Sequence, residues 1–221
     1  MEKSAKTVST LNGLLSTAGL QPIDSIVAAK FEEYLSLILH WNARLNLTAV
    51  RDTHGILSRH FVESIACAQQ LPAGIVSLLD FGTGAGFPGI PIALCRPEIS
   101  VTLAESQVKK AAFLHEAVRT LQLSSTVWAG RAEDQARRFD CVTLRAVDRM
   151  DRAIAAASSL IRSGGILAVL TSTLQMPLVQ AAAGESFQWT SKAPLPGSEQ
   201  RILALGVKSF ALDCRRADEQ T

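Results

Sequence analysis

The sequence predicts an α/β chain built on a mostly parallel, doubly wound sheet, with an N-terminal helical extension and a C-terminal antiparallel hairpin. Three observations predict it. Up to Gly74 the apolar side chains recur at steps of three and four, whereas from Ile75 onward short apolar runs alternate with helical stretches, as in sheets whose parallel strands are joined by helices. Near the end, Phe187 to Thr190 and Arg201 to Val207 flank a loop holding Pro194, Pro196 and Gly197, which most simply makes an antiparallel pair. Between the two regimes lies Leu78-Leu-Asp-Phe-Gly-Thr-Gly-Ala-Gly-Phe-Pro-Gly89. An apolar run ending in a carboxylate, then glycines at alternate positions, reads as strand, tight loop and helix, because glycine permits positive φ and close approach to the backbone.

The elements follow in order. Residues 1–74 form the helical extension, 75–208 the sheet domain and 209–221 a polar tail. After Pro22, Asp24 is a good N-cap, and Val27, Phe31, Tyr34, Ile38, Trp41 and Leu45 draw one apolar stripe. Asn42, Asn46 and Thr48 then favour turns and side-chain to backbone bonds. A second helix is expected over Ile56 to Leu71, with Leu57, Phe61, Ile65 and Ala68 inward and Arg59, His60 and Glu63 on the other side. Strands are expected at Val76–Asp80, Val101–Ala104, Thr126–Ala129, Cys141–Leu144 and Ile166–Leu170, and helices near Pro88–Cys95, Val108–Leu121 and Arg152–Ile161. Gly164-Gly165 reads as the turn into the fifth strand. Pro88 suits a first helical turn.

Composition narrows the classes. With 221 residues, 48% of them apolar, the chain can bury a real core. Lys and Arg number 22 against 20 Asp and Glu, a net charge of +2, so composition announces no nucleic-acid partner. Cys67, Cys95, Cys141 and Cys214 are widely spaced, which suggests neither a disulfide framework nor a metal site. The N-terminal segment does not read as a secretory signal, and no apolar run has the length of a membrane span. A cytoplasmic monomer is the expectation.

Two ligand patterns overlap at the glycine loop. Gly84-Ala-Gly86-Phe-Pro-Gly89, with Glu105 downstream, satisfies the dinucleotide fingerprint. Asp80-Phe-Gly82-Thr-Gly84-Ala-Gly86 fits the acid-x-Gly-x-Gly-x-Gly pattern of proteins that bind S-adenosylmethionine, whose ammonium group Asp80 would meet through the loop or a water. A third reading is a turn that merely connects two elements. In an open parallel sheet, ligands collect beyond the carboxyl ends of the strands, which selects the glycine loop, Glu105, Arg131-Ala132-Glu133-Asp134 and Arg145. Glu105 at the end of strand two suits a ribose, against a solvated helix cap. Glu133 suits the same ligand or, equally, the dipole of a helix it would begin.

Several stretches together resemble a known family. They are Trp41-Asn-x-x-x-Asn46-Leu-Thr48, Arg59-His60-Phe61 followed by Glu63-Ser64, Asp80 to Gly89, Glu105-Ser106 with Lys109-Lys110 and Phe113-Leu114, Arg131-Ala132-Glu133, and Phe139-Asp140 with Arg145-Ala146-Val147. In order and over roughly residues 30 to 205, they resemble the ribosomal RNA small subunit methyltransferase G family, also called glucose-inhibited division protein B. The resemblance implies a Rossmann-like methyltransferase fold and methylation of guanine N7 in 16S ribosomal RNA, as naked RNA or within the small subunit, with S-adenosylmethionine. It places cofactor contacts on Gly82, Phe87, Ala132, Glu133 and Arg145, with Glu105 as the ribose acceptor; the loop reading adds Asp80, Gly84 and Gly86. Arg145, Asn46 and His60 are the candidates for catalysis by positioning, and Arg44, Arg51 and Arg59 for RNA contact. A solvated face with a structural Trp-Asn turn is the rival for that segment. Glu63 stands where the family usually has Asp, and Thr171-Ser172-Thr173 where it commonly has Lys-Gly, which leaves open how that edge of the site is made. The alternatives are a small-molecule methyltransferase of the same fold and a non-methylating nucleotide-binding protein.

Overall fold

A computed structural model describes residues 2–210, with side chains from residue 10 onward. The expected tail and Cys214 lie, apart from residues 209 and 210, outside the described residues. The chain runs α1 (Glu2–Thr17), α2 (Ser25–Asn42), α3 (Thr53–Gly55), a π-helical turn (Ile56–Phe61), α4 (Val62–Gln70), β1 (Ser77–Phe81), α5 (Gly89–Cys95), β2 (Ser100–Glu105), α6 (Val108–Thr120), β3 (Thr126–Ala129), β4 (Phe139–Arg145), α7 (Met150–Ser159), β5 (Ile161–Ser172), α8 (Met176–Ala183), β6 (Phe187–Pro194) and β7 (Arg201–Lys208). A single 3-10 turn, Ala132–Asp134, precedes β4.

One seven-stranded sheet has the order β3-β2-β1-β4-β5-β7-β6. Strands β1 to β5 pair in parallel, and β7 pairs antiparallel with both β5 and β6. The expected hairpin is therefore present, with β7 inserted beside β5. Alternate residues of each central strand feed two cores, as the two-residue strand period requires. Leu78, Leu103, Cys141, Ala168 and Leu203 face a layer that also holds Phe31, Tyr34 and Phe61 of the extension and Phe113 of α6. Leu79, Ala104, Val142, Leu167 and Ala204 face α7 and α8 through Ile154 and Val179.

The stripe on α2 packs as its periodicity predicts: Phe31, Tyr34 and Ile38 are fully buried. Asp24 caps the helix by accepting from the Val27 amide at 2.8 Å. Beyond it, Asn42 Oδ1 accepts the Thr48 amide at 3.2 Å and Thr48 Oγ1 accepts the Val50 amide, so the polar run makes the expected turn.

Three expectations need correction. The helix over Ile56 to Leu71 is broken at its start into the π-helical turn and α4, and Glu63 is not on an outer side: Arg59 is exposed, but residues 61–68 are all buried, Glu63 at 1% exposure. A helix enclosed by the extension, α5 and the sheet shows no amphipathic pattern to mark its orientation. Gly164 and Gly165 do not turn into β5 but lie inside it; Phe139 pairs with Ile161 and Cys141 with Ile166. The extra residues form a bulge there, Gly164 at φ +74°. Helix α8 was not expected at all. Its signals, Pro177 in the first turn and Gly184 after the last, sit in a stretch whose apolar residues run almost unbroken, which hides the period.

Candidate active site

Sheet order reverses between β1 and β4, and the carboxyl ends of β1, β2 and β4 open there onto a cavity of 1070 Å³. Ligands of open α/β sheets collect at such a switch point. Of the residues singled out in the sequence, Gly82, Gly84, Phe87, Glu105, Ala132, Glu133, Arg145, Arg59 and His60 line this cavity. The cavity wall does not include Asp80, Gly86, Asn46, Arg44 or Arg51.

Asp80 explains why. It is 0% exposed; one oxygen accepts the Gly89 amide at 2.8 Å and the Thr83 hydroxyl, the other the Thr143 hydroxyl at 2.7 Å. Burial pushes its pKa up and these bonds oppose the shift. Its carboxylate is spent inside the protein, joining both ends of the glycine loop to β4, and does not reach a ligand ammonium. Gly86 is likewise structural. With φ +94°, a Cβ there would lie 2.5 Å from Ile90 Cδ1 and 2.7 Å from Tyr34 Oη. Gly84 differs: at φ +60° its only neighbour within 4 Å of a Cβ is the Gly82 carbonyl at 4.0 Å, so the bare backbone faces open space.

Two further side chains hold the loop. Glu105, 6% exposed at the end of β2, accepts the Gly84 amide at 3.0 Å through Oε2 and the Gln107 amide at 2.8 Å through Oε1. Tyr34 of α2 donates to the Ala85 carbonyl at 2.5 Å. The extension therefore clamps the loop directly. Nothing in the sequence announced this, since Tyr34 reads as one member of an apolar stripe. Glu133 sits in the single 3-10 turn, too short to have a helix dipole for it to complement.

The opposite wall comes from the π-helical turn and β4. His60 stacks on Phe87, ring centroids 4.8 Å apart, and its Nε2 lies 2.7 Å from Thr48 Oγ1. Burial first, then Arg145 and Arg59, lower the His60 pKa to about 3. The imidazole is neutral at physiological pH. Because its folded pKa lies below the usual 6.5, the unfolded chain takes up the proton first, and stability falls as pH drops from about 6.5 toward 3. A His60→Phe variant is expected to lose part of that acid sensitivity, read as the change in urea midpoint between pH 7 and pH 5. An identical pH dependence in both proteins would remove the assignment.

Arg145 leaves β4 into the cavity wall, 5.9 Å above the Phe87 ring. Its Nη2 donates to the Arg59 carbonyl at 2.8 Å and to Glu63 Oε2 at 2.9 Å, while Glu63 Oε1 accepts from Arg201 Nε at 2.7 Å. One buried carboxylate thus joins α4, β4 and β7. The sequence reading placed Glu63 on a solvent side and gave Arg201 no role. Asn46, exposed, accepts from Arg51 Nη2 at 2.7 Å instead of entering the site. Arg44 lies by a second cavity of 460 Å³, with Trp41 and Lys109.

A glycine backbone facing open space, a carboxylate at the end of β2 and the stacked rings of His60 and Phe87 at the switch point accord with an S-adenosylmethionine-dependent methyltransferase, the class that the comparisons below show. The residues fit that cofactor: Gly82 and Gly84 offer backbone contact, Glu105 and Glu133 carboxylates, and Ala132 and Phe87 apolar surface. Solved structures share the fold. A SAM dependent methyltransferase from Aquifex aeolicus superposes with a TM-score of 0.57 at 14% identity, covering 71% of this chain and 94% of that one. P. horikoshii TYW2 in complex with MeSAdo gives 0.56 at 16%, covering 69% and 63%. The family model for rRNA small subunit methyltransferase G matches residues 27–195, and the chain belongs to that family. Among its relatives, the Ribosomal RNA small subunit methyltransferase G of Xanthomonas oryzae is 43% identical over 66% of this chain and 70% of its own. That of Stenotrophomonas maltophilia is 37% identical over 87% and 91%.

Proposed function

We propose that the protein methylates N7 of a guanine in 16S ribosomal RNA, with S-adenosylmethionine as donor. The observation that carries this is the 1070 Å³ cavity, slightly larger than ordinary ligand pockets, which reach about 1,000 Å³. It has room for the cofactor and an unstacked base together. When bound, the cofactor supplies an electrophilic methyl group on a sulfonium. Guanine N7 presents a lone pair and no proton, so the transfer needs no general base. A neutral His60 accords with that: it offers a flat, uncharged surface beside Phe87.

What remains for the chain is to hold and orient. Gly82, Gly84, Glu105, Ala132 and Glu133 hold the cofactor on the β1–β2 side, Glu105 at the ribose. Arg145, fixed by Glu63, anchors the cofactor, the guanine O6 or a phosphate from the β4 side. Arg59 at the cavity wall, and Arg44 and Arg51 further out on the extension, meet RNA phosphates. Loss of neither cofactor affinity nor turnover in Arg145→Ala would remove that residue from the site.

The direct test is transfer of labelled methyl groups to naked small-subunit RNA, and to subunits, from cells lacking the protein. Modified guanines are then mapped by N7-specific chain cleavage. A single new cleavage site is expected. Cofactor binding without transfer to either substrate would refute the assignment. Among the described residues no helix is long and apolar enough to cross a membrane.

A further inference from the structure

The chain is nearly neutral, yet its main cavity is not. Five cations line it besides Arg145: Arg59, Lys110, Arg131, Arg149 and Arg152. Only three acids do so, and two of these, Glu105 and Glu133, belong to the cofactor side; the third is Asp148. Among the described residues, none of the five cationic heads has an ion-pair or hydrogen-bond partner within the protein. By contrast, Arg96, Arg145, Arg162 and Arg201 are all paired. Cationic heads left unpaired around one cavity are an electrostatic footprint for a polyanion.

Two of them stand where the chain passes from β4 into α7, Arg149 at the N-cap of that helix and Arg152 in its first turn, and neither was picked out by a sequence motif. Both line the cavity at the start of α7. The segment between β4 and α7 is held in an unusual shape. Ala146 and Arg149 both have positive φ, 48° and 51°, and neither is glycine. Such residues cost stability and persist where the surroundings impose them. Ala146, Val147, Asp148 and Arg149 all line the cavity, so the shaped backbone forms its lip.

Resting on the proposed RNA methylation, we infer that this lip is the RNA-docking surface of the sheet domain, with Arg149 and Arg152 gripping phosphates of the single strand that flanks the target guanine. A base must leave its stack to enter the cavity, which draws its flanking phosphates across the rim. Arg59 on the extension meets the strand on the opposite wall. The RNA is therefore held from both parts of the chain, not from the extension alone.

The test is binding of the full-length protein to naked small-subunit RNA over a salt series, with cofactor affinity measured calorimetrically alongside. Losing two single-strand phosphate contacts lowers the slope of log K against log salt by about 1.4. Arg149→Glu with Arg152→Glu is expected to show that change and an affinity loss of roughly tenfold or more, with cofactor affinity retained. Arg149→Asn guards against a folding artefact, since Asn tolerates positive φ, and is expected to lose about half as much slope. Unchanged affinity and slope in the charge reversal, with wild-type methylation intact, would overturn this surface and leave the function standing. Failure of the wild type to methylate the RNA would instead overturn the function, and this surface with it.

Discussion

Glu63→Ala is expected to unfold about 10 °C below the wild type, and what remains folded is expected to transfer methyl groups poorly. Glu63 is 1% exposed between Arg145, 12% exposed, and Arg201, 31% exposed. Removing one partner of a buried ion pair costs about 3–5 kcal/mol, because the other charge stays buried without compensation; at this chain length each kcal/mol moves the midpoint by roughly 2–4 °C. Here two guanidinium groups lose their carboxylate together. Arg145, freed from Glu63, keeps only its bond to the Arg59 carbonyl, so its head no longer has one fixed position. Glu63→Asp is the informative companion. Its arm is one methylene shorter, and it is expected to keep one of the two arginines and fall between wild type and Ala in midpoint. A Glu63→Ala midpoint within 2 °C of wild type, by the same scaling, would show that the triad holds nothing together.

The second large effect separates two glycines of one loop. Gly86→Ala is expected to destabilise by about 3 kcal/mol, the sum of overpacking against Ile90 and Tyr34 and a non-glycine residue at φ +94°. Gly84→Asn is expected to fold nearly as well as the wild type, since Asn accepts φ near +60° and the added atoms meet open space. On the proposed cofactor site, those atoms would fall where the cofactor lies. Cofactor affinity is expected to fall roughly 100-fold, which is about 2.7 kcal/mol. Calorimetric titration of Gly84→Asn decides it: wild-type affinity would mean that the cofactor lies elsewhere in the cavity.

Much of this arrangement was legible in the chain. The succession of strands and helices along the chain, the glycine loop, the N-cap of α2 and the Asn-Thr turn are set by local geometry, and residues near in sequence are enough to recognise them. The ends of β1, β2 and β4 then bring Gly84, Glu105 and Arg145 to one cavity by a general rule of parallel sheets. Asp80, which the acid-glycine loop pattern singled out, turned inward instead. A carboxylate at the end of a strand points to the ligand or into the loop according to which hydroxyls lie beneath it, and Thr143 comes from a strand more than sixty residues away.

What the sequence by itself determined is the fold, the family and which strand ends meet at the cavity, because each rests on short-range patterns of apolar spacing, glycine and strand ends. The tertiary structure alone decided the rest. It enclosed α4 so that Glu63 turned inward to two arginines, brought Tyr34 of the extension onto the glycine loop, and left five cations unpaired around one cavity in a nearly neutral chain. Those features depend on which distant side chains share a space, and neither net charge nor periodicity records it.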